Sequence, residues 1–328
     1  MPLPNFFVIA PARSGTTTLH RLLDQHPEIY MCPIKETHFF ATEVGSRKKA
    51  PVGQNCIRRL IAAKAYQARI TDIETYSRLF DGVKEEKAIG EACPTYFRSP
   101  RAPERMKRYV PEAKFVVVLR NPVDRAFSAY TSRARRHGWS MEGFAEIPHL
   151  YTKLGPEEAS KRFSFVEGGY HSVYLKRYLE FFDKGVIQVR LFDELIWDIQ
   201  GALRQIYAFL GVDESFSAEA SMRYGATGLP RDWLLHTLLE KSTGSLTFRI
   251  CLRPLVPGAL RRAVSRLRNW NLVKPEIPPD VRRDWMRLYE EDIREVEKLT
   301  DMDLSGWLRD SRRQGLKDGP GLTSDGYS

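Results

Sequence analysis

Residues 6–27 read FFVIAPARSGTTTLHRLLDQHP. The apolar run from Phe6 to Ala10 predicts a buried first strand. It breaks at Pro11, passes through Arg13-Ser14-Gly15-Thr16-Thr17-Thr18, and resumes with Leu19, Leu22 and Leu23 on one face of a helix over 16–25. A strand, a small polar turn and a helix start aim unpaired backbone N–H groups and the positive end of the helix dipole at one point, where an anion is favoured. Gly15 permits close backbone approach, the hydroxyls of Ser14, Thr16, Thr17 and Thr18 add donors, and Arg13 brings a permanent charge on a planar fork. The same Ser14-Gly15-Thr16 would also serve as a plain helix cap.

The rest of the chain extends this unit. KFVVVL, Lys114 to Leu119, is a continuous apolar run of the kind a parallel sheet covered on both faces requires. Asn121-Pro122 marks a turn, and Pro122 suits the first turn of a basic helix over 123–136. A short strand and turn are expected within 89–97, a strand over 186–192, an amphipathic stretch over 173–182, and a helix over 199–210 that stops at Gly211. Asp280 to Leu299 reads as a terminal helix closed off by 304–308, while 41–58 reads as a surface loop and 138–168 as an irregular insertion. Strands alternating with helices predict an α/β fold, a P-loop-like parallel sheet flanked by helices. A single domain is expected over 1–312, with a basic cap at 225–278 and a disordered tail at 313–328.

Within 249–268 there are six arginines and no acidic residue. The stretch reads as a solvated helical face, as a cap over an acceptor site, or as a membrane-surface helix with Leu260, Val264 and Leu267 on one side; the cap is preferred. The net charge of +10 over 328 residues favours anionic partners, and 42% apolar residues can build a sizeable core. Cys32, Cys56, Cys93 and Cys251 form neither a CxxC pair nor a metal-ligand spacing, which points to a reducing, cytoplasmic setting. The first apolar run lacks the length and basic flank of a signal peptide, and no run approaches the ~20 residues of a membrane span.

A kinase or NTPase of related topology would carry GxxxxGK[ST], but no lysine follows Gly15. No later strand closes on a metal-binding aspartate, so the loop reads as an anion site with no metal. Instead, FVVVLRNPVDRAFSAYTSRARRHG over 115–138 puts Arg120 at the carboxyl end of a buried strand, where open α/β sheets bind ligands. Ser128 follows two turns into the next helix. The alternative of a non-enzymatic nucleic-acid-binding protein meets no recognisable module, and the charge clusters at phosphate-loop positions.

Here the chain resembles the sulfotransferases that use 3′-phosphoadenosine 5′-phosphosulfate (PAPS). APARSGTTTLHRLL is similar to their 5′-phosphosulfate loop, and VVVLRNPVDRAFSAY to their 3′-phosphate motif, with Arg120 and Ser128 at the matching positions. PIKETHFF, Pro33 to Phe40, resembles the KExHFF segment of the heparan-sulfate-type and related bacterial branch. GGYHSVYLKRYLEFF and YEEDIREVEKLTDMDLSGWL fit the same pattern. The resemblance implies PAPS as donor, PAP as product, and an acceptor hydroxyl or amine, with carbohydrate favoured.

It also implies roles. Arg13, Ser14, Gly15, Thr16, Thr17 and Thr18 would hold the 5′ phosphate, and Arg120 and Ser128 the 3′ phosphate. Many members carry lysine in place of Arg13; arginine does not readily release a proton, so Arg13 is expected to stabilise charge. Glu36 matches the catalytic base and His38 a residue beside the reacting group. Two apart, they would share one side of an extended segment. Lys35 is expected to meet the acceptor or the sulfonate, Tyr96 and Tyr170 to line the acceptor pocket or sit in the core, and Arg231 to add a late contact to the 3′ phosphate.

Overall fold

In the computed structural model the described residues are 2–42, 68–219, 228–232, 264, 267, 270–273 and 275–309. Five parallel strands form the central sheet: β1 (Phe6–Ile9), β2 (Ile29–Met31), β3 (Ala88–Ala92), β4 (Lys114–Leu119) and β5 (Ile187–Leu191). Their spatial order is β2-β3-β1-β4-β5. Alternate side chains divide the interior. Phe7, Ile9, Phe115, Val117 and Leu119 point into one core, while Phe6, Val8, Val116 and Val118 point into the other. Apolar residues are required on both faces, so the strands read as unbroken hydrophobic runs.

Helices α1 (Thr16–Leu23), α2 (Ile73–Ser77), α3 (Pro94–Arg98), α4 (Ala102–Tyr109) and α5 (Pro122–His137) fill the first half. Next come α6 (Glu142–Leu154), α7 (Pro156–Arg162), α8 (Ser164–Glu167), α9 (His171–Leu179), α10 (Glu194–Trp197), α11 (Ile199–Leu210) and α12 (Pro279–Thr300). The second core is closed by Leu19, Leu22 and Leu23 of α1 and by Leu203, Ile206 and Tyr207 of α11. The first is closed by α3, α5, α9 and α12, through residues such as Phe97, Phe127, Tyr178 and Trp285. Gly90 is placed by packing: a Cβ there would stand 2.2 Å from the Phe6 ring on the neighbouring strand.

Element ends follow local chemistry. Asn121 caps α5 by accepting from the backbone N–H of Val123 and Asp124, and Gly138 ends it at φ +70°. The expected irregular insertion at 138–168 is instead largely helical, as α6 to α8. Phe144 stacks on Trp285 of α12 at 4.4 Å, which supplies the buried face. Pro148 within α6 and the break at Gly155 keep each piece too short to show a clear helical period. A short antiparallel pair, β6 (Leu229–Pro230) with β7 (Leu272–Val273), packs against α5. The loop read at 41–58 lies outside the described residues beyond Thr42. So do most of 249–268, in which Val264 and Leu267 are described, and the tail 313–328. Among the described residues no helix is long and apolar enough to cross a membrane.

The parallel sheet brings five chain segments to one edge. The loop after β1, residues 32–42 after β2, Cys93 after β3, Arg120 after β4 and Phe192 after β5 all emerge at carboxyl ends. β1 lies between β3 and β4, where the winding of the chain reverses direction. That is the position at which open α/β sheets form a ligand crevice.

Candidate active site

The loop after β1 is backbone-driven. Arg13 and Gly15 take φ of +79° and +83°, and the Gly15 carbonyl accepts from the N–H groups of Thr18 and Leu19 to start α1. A left-handed arginine costs roughly 1–2 kcal/mol, so the surrounding contacts must hold it. A Cβ on Gly15 would stand 2.8 Å from the Phe192 ring. Ser14 is 1% exposed, and its Oγ has no hydrogen-bond partner in the protein. An orphaned buried hydroxyl costs about 1–3 kcal/mol, and an oxyanion in the loop would satisfy it. The residues present therefore fit a phosphate or sulfate group.

The segment of Arg120 and Ser128, expected to hold a second anion, is locked to the β1 loop. Arg120 Nη1 donates to the Arg13 carbonyl at 2.8 Å, and Arg13 Nε donates to Ser128 Oγ at 3.0 Å. The Arg120 guanidinium lies 4.4 Å from the Phe192 ring centroid, so one aromatic ring supports Arg120 and closes off Gly15. His171, buried at the start of α9, donates through Nε2 to the Arg120 carbonyl at 2.9 Å. Burial pushes its imidazole down to about 3, so the ring is neutral and its Nε2 proton is committed to that carbonyl. The two motifs, distant in sequence, thus form one hydrogen-bonded unit.

The 33–40 segment is not extended. Glu36 and His38 both take left-handed backbone, with φ of +63° and +58° on either side of Thr37, so the expected two-residue alternation does not describe them. The cause is tertiary: Thr37 Oγ1 donates to the buried Glu91 carboxylate at 2.6 Å, and Glu36 N–H donates to the Ala92 carbonyl at the end of β3. Lys35 Nζ and Glu36 Oε1 form an ion pair at 2.6 Å, with side chains 5% and 10% exposed. His38 Nδ1 lies 3.9 Å from Cys93 Sγ. Phe39 and Phe40 anchor the segment in the core, and Arg105 donates to the carbonyls of Phe39 and Thr42.

Three further expected residues are placed as follows. Tyr96 is fully buried and directs its hydroxyl to Glu91, so it belongs to the core and not to an acceptor wall. Tyr170 is partly exposed and meets Tyr289 edge-to-face at 5.2 Å. Arg231 is exposed, lies 5.6 Å from the Trp270 ring centroid, and sits beside the strand pair that packs on the helix of Ser128. Sequence reading passed over Glu91, Thr37, His171 and Phe192. Only Glu91 carried a signal, as a lone acid within the otherwise apolar AIGEA strand.

A model of the sulfotransferase family matches residues 4–216, which span the whole central sheet and the locked pair of anion motifs. The chain belongs to the sulfotransferase family. The chain is 25% identical over 232 residues to the bifunctional heparan sulfate N-deacetylase/N-sulfotransferase 2 of Bos taurus, an alignment covering 68% of the chain and 23% of that protein. It is 24% identical over 266 residues to the heparan sulfate glucosamine 3-O-sulfotransferase 6 of Homo sapiens, covering 79% of the chain and 67% of that protein. The chain thus spans less than a quarter of the N-deacetylase/N-sulfotransferases it matches. A sulfotransferase crystal structure from Alicyclobacillus acidocaldarius superposes with a TM-score of 0.64 at 29% identity, covering 94% of this chain and all of that one.

Proposed function

We propose that this sulfotransferase, as one domain over 1–312, moves the sulfuryl group of PAPS to a hydroxyl or amine of an acceptor. The observation that carries the reading is the interlock of Arg13, Ser128 and Arg120 above the β1 loop, with the unsatisfied Ser14 hydroxyl beneath it. Backbone N–H groups of 15–17 with Arg13 would hold the 5′ phosphate, and Arg120 with Ser128 the 3′ phosphate. Bound PAPS supplies an activated sulfuryl group on a phosphate leaving group.

Glu36 takes the proton from the acceptor oxygen or nitrogen as that atom bonds to sulfur and the bond from sulfur to the phosphate oxygen breaks. Lys35, once parted from Glu36, faces the negative sulfonate oxygens, and His38 sits beside the reacting group. Arg13 and the loop amides stabilise the charge that grows on the phosphate; one such donor is worth about 3–4 kcal/mol.

The names of the relatives favour a carbohydrate acceptor. The phosphate-binding placement of the site charges favours a small anionic donor over nucleic acid. A cytoplasmic setting and peripheral contact of 249–268 with an anionic membrane belong to the same proposal. The test is incubation with labelled PAPS across sugars, lipids, peptides and small alcohols, with product mass measured directly. Transfer to an acceptor supports the reading, whereas Mg²⁺-dependent ATP turnover without sulfate transfer would replace it.

A further inference from the structure

We propose that Glu91 is a positioning residue for Glu36 and His38, acting through Thr37; this rests on the role given to Glu36 above. Glu91 lies at the carboxyl end of β3 and is 0% exposed. Three hydroxyls converge on its carboxylate: Thr37 at 2.6 Å, Tyr76 at 2.5 Å, and Tyr96 at 2.9 and 3.2 Å. Among the described residues no lysine or arginine pairs with it.

Stability alone gives little reason for this arrangement. Burying a carboxylate is costly, and an apolar residue of similar size packed against Phe7, Phe40 and Tyr76 would serve the core as well or better. Burial pushes the Glu91 carboxyl up, and the hydroxyl donors draw it back down. What the carboxylate gives instead is a fixed, directional anchor.

Thr37 is the only residue between the two left-handed positions, Glu36 and His38. Its hydroxyl also meets Tyr96 OH at 2.9 Å and accepts from the Phe39 N–H at 3.3 Å, while Phe40 N–H donates to Tyr96 OH. The network therefore grips the backbone from 37 to 40 through the hydroxyls of Thr37 and Tyr96. With Thr37 turned inward, Glu36 is delivered to Lys35 and His38 to Cys93 at the sheet edge. Two left-handed side-chain-bearing positions one residue apart persist only where neighbours over-determine them.

The test uses the full chain with Thr37→Val, which keeps shape and removes the hydroxyl, Thr37→Ser as rescue, and Glu91→Gln. Thr37→Val is expected to lower kcat about 100-fold while the KM values and PAP affinity stay within about twofold. Thr37→Ser is expected to recover most of the loss. Amide hydrogen exchange should quicken at 36–41 and not in the central strands. Combining Thr37→Val with Glu91→Gln should lower kcat no further than either alone.

Wild-type kcat in Thr37→Val, additive losses in the double variant, or loosening spread over the whole sheet would each overturn the assignment. Should Glu91→Gln fail to fold, the Thr37 pair decides alone. A wild-type chain inert towards PAPS would sink the proposed function, and the exchange pattern of Thr37→Val would still judge the anchor.

Discussion

Arg13 donates through Nε to Ser128 Oγ at 3.0 Å, across more than a hundred residues of chain. The residue expected at one end of the donor is thus in contact with the residue expected at the other. Under the proposed donor binding, occupancy of one phosphate position would be felt at the other, because Arg120 also holds the Arg13 backbone.

Arg120→Ala is accordingly expected to weaken PAP by about 1.5–3 kcal/mol, the worth of a charge-assisted hydrogen bond. Adenosine 5′-phosphosulfate, which lacks the 3′ phosphate, should weaken by a smaller but measurable amount through the freed Arg13 loop. Titration calorimetry with both ligands reads the difference. An unchanged affinity for adenosine 5′-phosphosulfate would mean the interlock carries no energy.

Glu36→Gln should lower kcat by about 10²–10⁴-fold with PAP affinity retained, as expected for loss of a general base. It also removes the carboxylate paired with the buried Lys35 ammonium. Removing one partner of a buried pair costs about 3–5 kcal/mol, so the midpoint of thermal unfolding should fall clearly. Lys35→Met in the same chain should restore the midpoint without restoring turnover.

Gly15→Ala combines a φ of +83° with a Cβ that meets Phe192 at 2.8 Å. Strain of roughly 1–2 kcal/mol in the backbone is expected, together with displacement of the ring that supports Arg120. PAP affinity should drop more than unfolding free energy. Adding Phe192→Ala should relieve the clash but leave the φ strain, giving partial recovery by urea unfolding and none in the Arg120 contact.

His171 supplies a pH test. Its folded-state value of about 3 lies below the ordinary 6.5, so the unfolded chain binds the proton first as pH falls. Stability is full above pH 6.5 and declines below it, by about 1.4 kcal/mol per pH unit for this one group until its folded value is reached. His171→Gln should flatten the slope of unfolding free energy between pH 6.5 and 4.5. Because the ring braces the Arg120 carbonyl, the same variant should weaken PAP at neutral pH.

Strands were legible wherever both faces of the sheet demanded apolar side chains: KFVVVL begins and ends where β4 does. The helix after the β1 loop was legible from Gly15 and the spacing of Leu19, Leu22 and Leu23. Helices α6 to α8 were not, because their apolar faces are short and satisfied by Trp285, far along the chain. The backbone at Glu36 and His38 was illegible for a related reason. Its left-handed turns are imposed by Glu91 and by pairing to the end of β3, neither of which leaves a periodic trace nearby. Tyr96 looked equally suited to pocket or core, and only the carboxylate beside it decides the matter.

The pairing of Leu229–Pro230 with Leu272–Val273 brings together, against the Ser128 helix, two points far apart in sequence. The ladder fixes where the segment between them starts and ends. Such a cassette can be lengthened, shortened or traded between relatives without rethreading the sheet, since closing a longer loop adds only about 0.6 kcal/mol per doubling of its length. Under the proposal that 225–278 caps the acceptor site, a change of length between these two strands would alter acceptor choice and spare the residues proposed to hold the donor.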